Sequence, residues 1–62
     1  MSDREILVEF VIHGNVAKVT AIDSMTGIEA AITGPASAPR ATLAEAARRK
    51  LAFLLKKQNG GS

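Results

Sequence analysis

The sequence has no cysteine, tryptophan or tyrosine, and it carries a single histidine, His13. Without cysteine, disulfides, thiolate zinc sites and thiol nucleophiles are excluded together. One imidazole likewise excludes a histidine-rich metal centre, and no metal or cofactor is expected. Only two aromatic residues are present, Phe10 and Phe53, so aliphatic side chains must build the core. No apolar run approaches the roughly 20 residues of a membrane-spanning helix, and no membrane partner is expected. The charged start Met1-Ser2-Asp3-Arg4-Glu5 leads straight into a strand pattern, so no signal peptide is expected. A cytoplasmic location is then the default expectation.

These absences weigh more because the chain has only 62 residues. One domain is the most it can form, expected over residues 1–58 with a flexible tail at 59–62. A chain this short buries only about 60% of the surface its unfolded form exposes. Small domains usually compensate with a disulfide, a metal or a second copy of themselves. Two of these supports are excluded, which leaves self-association.

What is present is a patterned chain that is 47% apolar with a net charge of +2. Charge is divided unevenly. Up to residue 33, Arg4 and Lys18 stand against Asp3, Glu5, Glu9, Asp23 and Glu29; beyond it, Arg40, Arg48, Arg49, Lys50, Lys56 and Lys57 stand against Glu45 alone. The first half is acidic and the second basic, which fits either an anionic partner or two halves that attract each other.

Residues 4–12 alternate as a half-buried strand, with Ile6, Val8, Phe10 and Ile12 on one face and Glu5, Leu7, Glu9 and Val11 on the other. Gly14-Asn15 supplies the freedom a two-residue hairpin turn requires. If His13 and Val16 flank that turn, Ile12 faces Ala17, Phe10 faces Val19 and Val8 faces Ala21. A slip of one residue would bring Lys18 and Thr20 into the apolar set, so the register is well specified. The second strand, 16–23, ends in Asp23-Ser24-Met25-Thr26-Gly27, where Asp closes a turn through its side chain and Gly takes a left-handed backbone. A four-residue loop then sets Ala21 opposite Ala30 and Val19 opposite Ile32 in a third strand, 28–33. Both turns select the same buried face.

Gly34-Pro35-Ala36-Ser37-Ala38-Pro39 is expected to break the sheet. A helix follows, capped by Ser37 or, failing that, by Thr42 with Glu45 as a capping box. It should run to about Lys57, with Leu43, Ala47, Leu51 and Leu54 as its apolar stripe and Ala44 and Leu55 at the margin. The expected fold is therefore α+β: a three-stranded antiparallel meander with one C-terminal helix packed on one face.

For chemistry the pattern offers little. His13 flanks a turn, with no acid placed to orient it. Glu9 and Glu29 share the outer face but have Lys18 and Thr20 between them, and Ser24, Thr26 and Ser37 are turn and cap residues. No enzyme is expected. The outer sheet face is more informative, because Leu7, Val11, Val16, Ile22 and Ala31 point away from the helix and a single helix cannot cover them. A contiguous patch of this kind marks a contact surface, and a homodimer or another protein is the expected partner. Phe53 lies off the helix stripe and either folds beside the sheet edge or extends a partner surface. The alternative partner is nucleic acid, met by Arg40, Arg48, Arg49 and Lys56 with Lys50 near the margin, although no aromatic residue interleaves with them.

Two resemblances add to this. The runs Val8-Glu9-Phe10-Val11, Lys18-Val19-Thr20-Ala21-Ile22-Asp23, Thr26-Gly27, Gly34-Pro35-Ala36-Ser37-Ala38 and Arg49-Lys50-Leu51 resemble a family of very short alphaproteobacterial proteins of unknown function, over roughly residues 4–56. The resemblance implies a stand-alone bacterial protein and brings no activity or site with it. The β-β-β-α order ending in Ala46-Ala47 and Leu51 is also similar to the C-terminal half of double-stranded RNA-binding domains. In those, lysines at the start of the last helix grip phosphates across a groove. The corresponding positions here read Pro39, Arg40 and Leu43, so only Arg40 fits, and no first helix precedes the strands.

Overall fold

A computed structural model describes residues 5–60 of the chain. Strands β1 (Ile6–His13), β2 (Val16–Asp23) and β3 (Glu29–Pro35) are followed by helix α1 (Arg40–Gly60). The strands form one antiparallel sheet in the order β1-β2-β3, which is the α+β meander the alternation predicts.

The first turn rests on Gly14, at φ +59°, and no described non-glycine residue has a positive φ. Asn15 therefore stays on the negative side, the pattern of a type II′ turn, whose twist matches that of the flanking strands. Ile12 faces Ala17, Phe10 faces Val19, Val8 faces Ala21 and Leu7 faces Ile22. At the second turn, the Asp23 N–H donates to the Ile28 carbonyl at 2.9 Å, and the Gly27 N–H donates to the Asp23 carbonyl at 2.8 Å. Asp23 Oδ2 accepts from the Thr26 hydroxyl at 2.7 Å and from the Thr26 N–H at 3.2 Å. The side chain closes this loop as the Asp-to-Gly spacing predicts, with Gly27 at φ +78°. Ala21 then faces Ala30 and Val19 faces Ile32.

Beyond shifts of a residue or two at the ends of β1 and the start of β3, three boundaries differ from expectation. Gly34 and Pro35 do not break the sheet, because they pair with Ala17 and Val16 as the end of β3. A proline is tolerated there since β3 is an edge strand and the missing N–H faces away from β2. The helix begins at Arg40, with the Pro39 carbonyl accepting from the Thr42 N–H at 3.1 Å and the Leu43 N–H at 3.2 Å. Neither Ser37 nor Thr42 is its cap. A Ser37 cap would make Ala38 the first helical residue, and a residue that precedes proline is pushed out of the helical region. The helix also continues past Lys57 to Gly60, so Asn59 and Gly60 of the expected tail lie in its last turn. No proline or glycine stops it earlier; Gly61, Ser62 and Arg4 lie outside the described residues.

The core joins Ala17, Val19, Ala21 and Ala30 of the sheet to Leu43, Ala47, Leu51 and Leu55 of α1. Leu55 and Ala44, expected at the margin, are buried, whereas Leu54 is half-buried. The ridge 43-47-51-55 is thus the one pressed onto the sheet. Gly34 admits it: a Cβ at that position would lie 2.7 Å from Leu43 Cδ2. α1 lies mainly over β2 and β3 and reaches β1 least.

Candidate interaction surfaces

The register arranges the outer face of the sheet as four cross-strand rows. In order these are Leu7, Ile22 and Glu29; Glu9, Thr20 and Ala31; Val11, Lys18 and Thr33; and His13, Val16 and Pro35. Leu7, Val11 and Val16 are 49%, 51% and 50% exposed, while Ile22 and Ala31 are half-buried. Leu7 and Ile22 do share a side and sit directly opposite each other. The expected single patch is nevertheless split. Leu7, Ile22 and Ala31 form one apolar end, Val11, Val16 and Pro35 form the other, and Glu9, Thr20, Lys18 and Thr33 lie between them.

Phe53 does not extend this face. It is 62% exposed on α1, on the opposite side of the sheet, with Lys57 Nζ 6.0 Å from its ring centroid. The six residues expected to form one interface are therefore distributed over two surfaces.

The basic residues of α1 also part company. Arg40 leans onto the sheet, with Cζ 4.7 Å from the centre of the Phe10 ring, a contact worth about 0.5–1 kcal/mol where exposed. Arg49 bonds Glu45 one turn earlier at 3.2 Å. Lys50 Nζ donates to the Ala31 carbonyl at 2.8 Å. Arg48 and Lys56 are exposed. Three of these cations thus already have a partner within the chain.

Groups that catalysis could use are dispersed as well. Glu9 and Glu29 stand on β1 and β3 with β2 between them, roughly 10 Å apart from strand spacing alone, and in different rows. His13 faces Val16 at the hairpin end. Among the described residues, no group of three His, Asp or Glu side chains is placed to hold a metal ion, and no helix is long and apolar enough to cross a membrane.

A third surface was missed by the sequence reading. Ile6, Val8, Phe10 and Ile12 turn to the same side as the core, but α1 covers this row only in part. Ile6, Val8 and Phe10 are only half-buried, and Ile12 is 48% exposed. A signal for this exists in the sequence, since the small residues Ala17, Ala21, Ala30 and Gly34 lie on β2 and β3 and mark where a helix can come close.

No curated protein and no solved structure matches the chain. One family model does, over residues 3–58, with all three strands and nearly all of α1 inside the match. The chain belongs to the family described as a domain of unknown function, DUF6898.

Proposed function

We propose that this protein is a non-enzymatic interaction module that works as a homodimer. The observation that carries the reading is one-sided cover: α1 lies over β2 and β3, while Ile6, Val8 and Phe10 on one side of the sheet are only half-buried and Leu7, Val11 and Val16 on the other stay open to solvent. Apolar surface of this kind on a small domain marks a place of contact. A second copy is the favoured occupant because a chain with no cysteine gains its missing burial most directly from itself. The dispersal of Glu9, Glu29 and His13 supports a binding role over a chemical one. A cytoplasmic setting belongs to the same reading, since a chain without cysteine has nothing to gain from an oxidising compartment.

Light scattering at micromolar to millimolar concentration tests it. The expected mass is twice the 6.5 kDa of the chain, and a single-chain mass at every concentration overturns the proposal.

A further inference from the structure

We infer that the second copy docks along β1, which pairs antiparallel with its own counterpart to give one sheet of six strands, three from each chain, with both helices on the same side. The inference rests on the homodimer reading and specifies its geometry.

The hydrogen-bonding pattern singles out this edge. The Ser24 N–H donates to the Glu5 carbonyl at 3.0 Å. Bonded and non-bonded pairs alternate along an antiparallel ladder, so Leu7 with Ile22, Glu9 with Thr20, Val11 with Lys18 and His13 with Val16 are the bonded pairs within the hairpin. The N–H and C=O groups of Ile6, Val8, Phe10 and Ile12 consequently point away from β2 along the open edge. Their side chains are the ones α1 leaves partly uncovered. Main-chain groups seeking partners and apolar side chains seeking cover thus belong to the same four residues. No proline or bulge interrupts this edge, and these are two of the usual devices that protect one; its charged groups are Glu9 on the outer face and Arg40 over the Phe10 ring.

The opposite edge is guarded. By the same alternation, Glu29, Ala31, Thr33 and Pro35 direct their main-chain groups outward from β3, but Lys50 occupies the Ala31 carbonyl and Pro35 has no N–H to offer. A strand seeking an edge finds a continuous ladder only at β1.

Charge selects the register. A two-fold axis can set Val8, Glu9 or Phe10 opposite itself. Centring on Glu9 places two carboxylates directly across the ladder, which is unfavourable. Centring on Phe10 brings together the two Arg40 side chains that lie over those rings. Centring on Val8 avoids both, placing Glu9 opposite the second copy's Leu7 and Phe10 opposite its Ile6. Pairing then runs over residues 5–11.

Single cysteines test this cleanly because the parent chain has none. Val8→Cys is expected to form a disulfide-linked dimer under mild oxidant, since directly opposed bonded residues lie about 5.5 Å apart at Cα, within disulfide reach. Phe10→Cys and Val16→Cys should link far more slowly. Val8→Pro removes an N–H that β2 does not use, so its far-UV circular dichroism should be retained while the scattering mass falls by half. Ile22→Lys, on the outer face, should leave the mass doubled. A parent chain that is monomeric overturns the homodimer reading itself. A dimer that links through Val16→Cys and dissociates with Ile22→Lys keeps that reading and overturns the edge pairing. Faster linkage of Phe10→Cys overturns the register. Should Val8→Pro lose its strand signal, the linkage of Val8→Cys decides alone: rapid linkage supports the pairing and none overturns it.

Discussion

The two strands of the first hairpin meet the helix side of the sheet in opposite ways. β2 presents Ala17, Val19 and Ala21, and all three are fully buried. β1 presents Ile6, Val8, Phe10 and Ile12, directly opposite residues of β2, and none of them is fully buried. The larger side chains are the more exposed. Hydrophobicity therefore does not rank burial here; the position of the helix axis does. Small residues let α1 settle close over β2 and β3, and the large residues of β1 stand beside it as a wall instead of lying beneath it. The contact of Leu43 with Gly34 extends the same logic to β3, where the space left by a missing side chain is filled from the helix.

The largest expected effect comes from the helix side of that contact. Leu51 is 1% exposed at the centre of the ridge, and Leu51→Ala should cost about 2–5 kcal/mol through lost burial and the cavity left behind. For a domain of this size that is most of its stability. Thermal melting followed by circular dichroism should show a largely unfolded variant at room temperature. A melt within a few degrees of the parent would mean that α1 does not press on β2 and β3.

A swap across one row sharpens the contrast. Val8, Ala21 and Ala30 lie side by side. Ala21→Val should cost about 1–3 kcal/mol, because added carbon under the helix forces it away. Adding Val8→Ala restores the total volume but not its placement, so the double variant should remain about as destabilised in urea unfolding. A neutral swap would show that only total volume matters, and the distinction between the strands would fail.

The β2 row ends in a carboxyl group where β1 has a hydrophobe. Asp23 is fully buried, and its Oδ2 accepts from both the hydroxyl and the N–H of Thr26. Thr26 Oγ1 in turn accepts from the Ile28 N–H at 3.2 Å. Thr26→Val keeps the shape and removes the hydroxyl, with an expected loss of about 1–2 kcal/mol. Thr26→Ser should recover most of it, which separates the hydrogen bond from packing of the methyl group.

How far the fold could be read from residue order follows from the same physics. Strand alternation and the two glycine turns have short, local causes, and they fix the register of every row from Leu7 to Ile32. The helix start depends on a competition between cap preference at Ser37 and the restriction Pro39 places on Ala38, and the second proved stronger. Gly34-Pro35 looks like a break because both residues weaken strands, yet an edge position makes neither costly. Where α1 lies across the sheet is a matter of tertiary packing that period-2 and period-3.6 patterns do not encode. That is why Leu7 and Ile22 share the face that alternation assigns them, whereas alternation alone does not reveal the open flank at Ile12. The basic residues add a related point: a helical wheel records direction but not reach, and Arg40 and Lys50 reach the sheet.

The smallest expected change is at Ile12, and its smallness is informative. The side chain is 48% exposed and lies beyond the segment assigned to β1 pairing, so Ile12→Ser should alter stability by only about 0.5 kcal/mol, as for an ordinary surface position. A larger loss would mean that something covers Ile12 in solution, and melting at two protein concentrations tells which. Cover by a second copy makes the loss grow with concentration, since stability drawn from association follows mass action. Cover by α1, shifted toward β1, makes the loss the same at both. The first outcome would move the pairing toward the hairpin end, and the second would erase the contrast between β1 and β2.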